Sequence, residues 1–243
     1  MNNLNLKNIV EELLETFLEA GKIAKEISRR GVKITIKADK SPVTDGDLAV
    51  DQLLRNKIAY LTPDIPIISE ETVNIGIKNQ NKNFWLIDPI DGTKAYIKKK
   101  DEYTLNAALI INLKLAVGII YAPEKDRLFF SYGKYLAFEI NNGKKTTLNC
   151  KKINTNEIIA LVNSDNTPNE VLNIYKKYNV SQRTRMSSSL KFCVIAAGEA
   201  DIYAARARAF EWDIAAGHAI LEHAGGLITT LDGEKFMYGK ENY

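Results

Sequence analysis

Four acidic residues in three short motifs carry the chain's candidate chemistry. Asp88 and Asp91 lie in Trp85-Leu86-Ile87-Asp88-Pro89-Ile90-Asp91-Gly92-Thr93, Glu70 in Ser69-Glu70-Glu71, and Asp213 in Trp212-Asp213-Ile214-Ala215-Ala216-Gly217. In the first two motifs an apolar, β-prone run leads straight into the acid: Phe84 to Ile87 before Asp88, and Ile65 to Ile68 before Ser69-Glu70. Pro89 has no N–H to donate and reads as the stop of its strand. Gly92-Thr93 then permits a tight turn whose backbone N–H groups suit an anion. Each motif also has an ordinary structural reading: an Asx turn at Asp88, a solvated loop at Glu70-Glu71, a helix cap at Asp213. If the strands before Glu70 and Asp88 are neighbours, the two carboxylates meet at one sheet edge.

Convergence of Glu70, Asp88, Asp91 and Asp213 would be strongly unfavourable on its own. Two unit charges about 4 Å apart repel by roughly 4 kcal/mol at an effective dielectric of 20. Such a set needs protons or cations, and all-oxygen donors select Mg2+ or Mn2+. A two-ion clamp of this kind activates water and stabilises a leaving oxygen, which fits phosphate-ester hydrolysis without a covalent enzyme intermediate. His218 and His223 lack the spacing of a helical metal pair and read as structural.

Periodicity indicates the elements that must hold these acids. Residues 4–28 carry a helical stripe through Leu6, Ile9, Val10, Leu13, Leu14, Phe17 and Leu18. Its polar face bears Glu11, Glu12, Glu15 and Glu19, so it packs on the protein's own core rather than on an anionic membrane. Gly31 ends the helix, and Val32 to Ile36 alternates as a strand. Thr44-x-x-Asp47 resembles a capping box with Asp in place of Glu, opening a helix with Leu48, Val50, Leu53, Leu54 and Ile58 apolar. Residues 103–112, 115–121, 128–132 and 135–140 read as an antiparallel meander that closes a first α+β subdomain over 1–150. Strands over 158–162 and 202–204 then alternate with helices over 170–178, from a serine cap at Ser188-Ser189, and from Asp213 to Ala224. This alternation suggests an α/β subdomain over 151–243 that contributes Asp213. Lys98-Lys99-Lys100 reads as a solvated loop or as a steering patch for an anionic substrate.

Composition narrows the function classes. The chain has 243 residues, 45% apolar and 26% charged, as in a soluble globular protein. A net charge of +3 gives no electrostatic case for nucleic-acid binding. Cys150 and Cys193 form no C-x-x-C pair, which suggests a reduced cytoplasmic setting. No stretch has the length of a signal peptide's apolar region or of a membrane span.

Taken together, the three acidic motifs resemble the signatures of the inositol monophosphatase superfamily, the lithium-sensitive, Mg2+-dependent phosphatases. Lys37-Ala-Asp-Lys-Ser-Pro-Val-Thr, Asp88-Pro-Ile-Asp-Gly-Thr-Lys, Tyr121-Ala-Pro and Ser188-Ser-Leu-Lys-Phe-Cys look most like its bacterial CysQ branch. Those enzymes are 3'(2'),5'-bisphosphate nucleotidases, which take the 3'-phosphate from adenosine 3',5'-bisphosphate, a by-product of sulfate assimilation, and leave AMP.

The resemblance implies a layered α/β/α/β/α sandwich and a set of residue roles. Glu70, Asp88 and the Ile90 carbonyl would hold one Mg2+, and Asp88, Asp91 and Asp213 a second. Glu70 would reach a third ion through water, and Mn2+ would be a substitute metal. Gly92 and Thr93 would offer N–H groups to the phosphate, and an Asp47–Thr93 pair would orient and deprotonate the attacking water. Ser188, Ser189 and Lys191, with Glu70 and Asp213, would border the substrate. The implied protein is a cytoplasmic monomer or homodimer with no nucleic-acid partner and no integral membrane segment; peripheral association with the inner membrane is compatible. Two stretches depart from the branch pattern. Ser187 replaces a glycine, and Ala207-Arg208-Ala209 stands where Gly-Pro-Thr is usual. The departures leave the cation chemistry intact and put base and sugar selectivity in question, with Arg206 or Arg208 either meeting a second phosphate or facing solvent. The alternatives are an inositol or sugar monophosphatase of the same superfamily, or a nucleotide-binding protein with little turnover.

Overall fold

The computed structural model describes residues 4–37, 40–73, 80–150, 154–164, 166–206 and 208–240. Helix α1 (Leu6–Arg30) is capped by Asn5 and ends at Gly31, whose φ of 95° is cheap only for glycine. Its buried stripe includes Val10, Leu13, Phe17, Ala20 and Ala24. Strands β1 (Ile34–Ile36) and β2 (Pro42–Thr44) form a separate antiparallel hairpin. β1 is exposed at all three residues, so the alternation over 32–36 marks a surface strand and not a half-buried one. Helix α2 (Asp45–Leu61) packs beside α1.

Seven strands follow in one sheet: β3 (Ile67–Ser69), β4 (Phe84–Asp91), β5 (Thr104–Ile111), β6 (Lys114–Ala122), β7 (Arg127–Ser131), β8 (Ala137–Asn141) and β9 (Lys144–Thr147). The short helix α3 (Thr93–Ile97) leaves β4. The strands pair in sequence order, parallel between β3 and β4 and antiparallel elsewhere. β9 has no counterpart in the sequence reading: its four residues are all exposed, so no apolar alternation announces it. The second half supplies β10 (Ile158–Val162), α4 (Asn169–Lys177), β11 (Val180–Arg185), α5 (Leu190–Ala196), β12 (Ile202–Tyr203) and α6 (Glu211–His223). β11, β10 and β12 form a parallel three-stranded sheet with β10 central.

Side-chain parity assigns the layers. Trp85, Ile87, Leu105 and Ala107 pack with α1 and α2, whereas Phe84, Leu86, Ala108 and Ile120 pack with α5 and α6. On the second sheet Leu161 joins the α5–α6 core, and Ala160 and Val162 pack against Val171 and Tyr175 of α4. The order is α/β/α/β/α, as expected. Each fully buried Leu, Ile or Phe stabilises this arrangement by roughly 1.5–3 kcal/mol. Gly118 of β6 lets α6 lie close, since a Cβ there would collide with the Ala216 carbonyl and sit 2.8 Å from Ala219 Cβ.

Pro89 does not stop its strand. β4 runs on to Asp91 across a bulge, with Asp88 opposite Asn106 and Asp91 opposite Thr104. The β3 ladder ends with the Glu70 N–H bonded to the Ile87 carbonyl (3.1 Å), so Pro89 needs no donor on that side. The bulge also resets parity. Residues three apart on a regular strand face opposite ways, but here their partners Asn106 and Thr104 are two apart and share one face. Asp91 is thereby turned to the same side of the sheet as Asp88.

Candidate active site

The parallel register Ile67↔Trp85, Ile68↔Leu86 and Ser69↔Ile87 sets Glu70 beside Asp88 at the strand ends. Ser69 anchors this corner. Its hydroxyl donates to Asp51 of α2 (2.5 Å), and Asp51 also takes the Arg55 Nε–H (2.7 Å). Lys37 pairs with Glu71 (2.7 Å) and Glu70 (3.5 Å). Asp213 lies in the first turn of α6, where its carboxylate accepts the Phe210 N–H (2.9 Å). One carboxylate oxygen each from Glu70, Asp88 and Asp213 lies within 4.8 Å of the others.

The electrostatics of this trio are unfavourable without a counter-charge. Asp88 is 2% exposed, and its Oδ1 has no hydrogen-bond partner among the described residues. Burial, reinforced by Glu70, Asp91 and Asp213, holds the Asp88 carboxyl well above the usual range. Burial followed by the Asp91 charge pushes Asp213 up to about 7. Glu71 rises to about 7 through burial, opposed by Lys37. An all-oxygen set built around a buried Asp88, one of whose oxygens is unsatisfied among the described residues, fits a hard divalent cation. Asp91 stands apart from the trio: the Ser189 N–H donates to its Oδ2, and burial raises its pKa against the pull of Lys191.

Asp47 and Thr93 are paired otherwise than the resemblance implies. Asp47 accepts both the Thr44 N–H (2.7 Å) and the Thr44 hydroxyl (2.5 Å), completing a capping box at the start of α2. Burial lifts its pKa to about 6, with Thr44 opposing. The Thr93 hydroxyl donates to the Ile90 carbonyl (3.2 Å). All three bonds are local, between residues three apart, the kind that competes with longer-range partners. Gly92 opens α3 in the left-handed region (φ 92°), and its carbonyl accepts from Ala95 and Tyr96. The amides of residues 93 and 94 precede that first helical bond and meet no carbonyl within α3.

On the far side of Asp91, Ser188 and Ser189 are buried, and Ser188 adopts φ 56°. Ser189 does not cap α5 with its hydroxyl; Ser188 Oγ accepts the Leu190 N–H (3.4 Å) instead. Lys191 is 5% exposed, donates to the Ser188 carbonyl and lies 5.1 Å over the Tyr203 ring. Burial lowers its pKa, with Asp91 and Glu102 pulling the other way. Ser187 donates to the Glu102 carboxylate (2.8 Å). Arg206 makes a bidentate pair with Glu170, and Arg208 is exposed. Ala207 lies outside the described residues. Lys98, Lys99 and Lys100 are exposed.

His218 bonds Tyr238 (2.8 Å) and His223 bonds Ser131 (2.9 Å). Burial drops both pKa values to about 4, so both rings are neutral and structural. The residues absent from the sequence reading are Lys37 as a partner of the glutamates, Asp51, Thr104 and Asn106. Asn106 and Thr104 become visible only when the register is known, because they are the cross-strand partners of Asp88 and Asp91.

Known proteins agree with this architecture. The inositol monophosphatase family pattern matches residues 5–243. The chain is 39% identical over 215 residues to the 3'(2'),5'-bisphosphate nucleotidase CysQ of Buchnera aphidicola subsp. Acyrthosiphon pisum, covering 87% of this chain and 79% of that one. It is 32% identical over 206 residues to CysQ of Escherichia coli, covering 84% and 82%. The crystal structure of CysQ from Bacteroides thetaiotaomicron, a bacterial member of the inositol monophosphatase family, matches with a TM-score of 0.79 at 28% identity, over 99% of this chain and 95% of that chain. With the motifs, the layered fold and these matches in agreement, the chain belongs to the inositol monophosphatase family.

Proposed function

We propose that the chain is a Mg2+-dependent phosphomonoesterase that hydrolyses the 3'-phosphate of adenosine 3',5'-bisphosphate, releasing AMP and phosphate in the cytoplasm. The observation that carries this reading is the convergence of Glu70, Asp88 and Asp213, with an Asp88 oxygen that has no hydrogen-bond partner among the described residues. The bisphosphate substrate is taken from the CysQ relatives and the motifs shared with them.

Glu70, Asp88 and the Ile90 carbonyl would hold one ion, Asp88, Asp91 and Asp213 a second, and Glu70 a third through water. Bound Mg2+, or Mn2+ in its place, would neutralise the phosphate oxygens and make water more acidic. The backbone amides at Gly92 and Thr93 would hold the phosphate. Asp47, with its pKa near 6, is suited to receive a proton through the Thr93 hydroxyl. For that step it would exchange the Thr44 hydroxyl for that of Thr93. The Ser188 and Lys191 side chains, with the Ser189 backbone, would border the nucleoside half.

The test is phosphate release with Mg2+ from adenosine 3',5'-bisphosphate, inositol 1-phosphate and fructose 1,6-bisphosphate side by side. A strong preference for the first supports the proposal. Preference for either of the others would favour the second reading, a sugar or inositol monophosphatase, which the Ala207-Arg208-Ala209 replacement motivates. No release from any of the three would sink both.

A further inference from the structure

We infer that Ser189 is a positioning residue that fixes the spacing and orientation of Asp88 and Asp91 through Thr104 and Asn106. This role rests on the proposed function in one respect, that Asp88 and Asp91 ligate the cation.

The β4 bulge puts both aspartates on one face, with Asn106 directly opposite Asp88 and Thr104 directly opposite Asp91. Both opposite residues reach the same hydroxyl. Ser189 Oγ lies 2.8 Å from Thr104 Oγ1 and 2.8 Å from Asn106 Oδ1. The Ser189 N–H bonds Asp91 Oδ2. One residue at the entrance to α5 therefore contacts Asp91 itself and the cross-strand neighbours of both aspartates.

The donor inventory gives the cluster a direction. A serine hydroxyl has one proton, and an amide oxygen can only accept. Ser189 must donate to Asn106 Oδ1, so the Thr104 hydroxyl is the donor to Ser189. The Asn106 amide is thereby locked with its NH2 as the remaining donor. Asn106 Nδ2 and Asp88 Oδ1 are both buried without a hydrogen-bond partner among the described residues, a donor and an acceptor at opposed register positions. A carboxylate oxygen has two lone pairs, so Asp88 can serve a cation with one and the Asn106 NH2 with the other. Ser189 is 2% exposed, Thr104 0% and Asn106 1%, and the Ser189 N–H and hydroxyl are already engaged. That leaves the Ser189 side chain nothing to offer a nucleoside.

The experiment titrates Mn2+ calorimetrically into the full chain stripped of metal, without substrate, for wild type, Ser189→Ala and Thr104→Val. Ser189→Ala should weaken Mn2+ binding by about tenfold to a hundredfold, as loss of an outer partner of a ligand does. At saturating cation its KM for the bisphosphate should stay within about twofold of wild type. Thr104→Val, of nearly the same shape, should shift affinity in the same direction by less, and the double variant should fall short of the sum of the two. Unchanged Mn2+ affinity with a raised KM would overturn the inference in favour of a substrate contact. A lowered thermal midpoint with unchanged affinity and kinetics would reduce Ser189 to a packing role. If Ser189→Ala does not fold, unchanged affinity in Thr104→Val overturns the inference by itself. Wild type that binds no Mn2+ would instead defeat the proposed function.

Discussion

Asp88 and Arg206 represent two differently supported parts of the site. Asp88 is 2% exposed on a strand packed on both faces, with its position fixed by the β5 register. Arg206 is exposed, in the loop before α6, and is held by a surface pair with Glu170. Moving Asp88 means disturbing two helical layers, whereas moving Arg206 means breaking an ion pair that water readily replaces. Of the departures from the CysQ pattern before Trp212, Arg208 and Ala209 are exposed and close in sequence to Arg206. On the proposed reading, cation chemistry sits in the core and selectivity in an exposed loop, the kind of segment that tolerates change.

Several substitutions would break or sharpen this contrast. Asp88→Asn should have the largest effect. Losing several kcal/mol of charge stabilisation lowers kcat/KM by about a thousandfold. The same change should raise the melting temperature of the metal-free protein, because Asp88 is held against burial and four neighbouring carboxylates. An Asp88→Asn variant with full activity would remove the cation assignment.

Asp47→Ala should lower kcat by about a hundredfold, the lower end for a proton-transfer group. It should also destabilise the fold by about 1 kcal/mol through loss of the capping box. If stability moves and kcat does not, capping is the whole role of Asp47.

An intermediate effect is expected at acid pH, on α6. His218 and His223 titrate near pH 4 when folded, below the unfolded value of 6.5. As pH drops from 6.5 toward 4 the unfolded chain takes up protons that the folded one refuses, so stability falls. The loss reaches about 3 kcal/mol per histidine. Urea unfolding of wild type and His223→Gln at pH 7 and pH 5 checks this: the gap between them should narrow at the lower pH.

Arg206→Ala should do least. kcat and the melting temperature should hardly change, and the response should be confined to KM for the bisphosphate. A collapse in kcat would show that the loop is coupled to the cation end after all.

Much of this was legible in the sequence, for physical reasons. β4 and β5 are buried on both faces and read as apolar runs, and the α1 stripe has clear helical periodicity. The acids stood out because each follows an apolar run or opens a helix. Pro89 misled because a missing N–H usually ends a ladder, and here the β3 partner had already ended. β9 was silent because its side chains are all solvated. Thr104, Asn106 and Asp51 were silent because their roles depend on register and on contacts across elements, which local spacing does not encode. Asp47 showed its two readings, and the structure displays the capping one in full.

The missing methyl at Gly118 bears on all of this. The separation between β6 and α6 is limited there by direct approach of backbone to sheet, with Ala216 and Ala219 against the glycine. Asp213 rides on the first turn of that helix and Asp88 on the sheet, so the opening between their carboxylates is a distance between two layers. An alanine at 118 would act as a shim. It would wedge the helix outward and widen the gap across the acidic trio while every chemically active side chain stayed the same. The aperture of the site is therefore gauged by a residue that has no side chain and touches none of the chemistry.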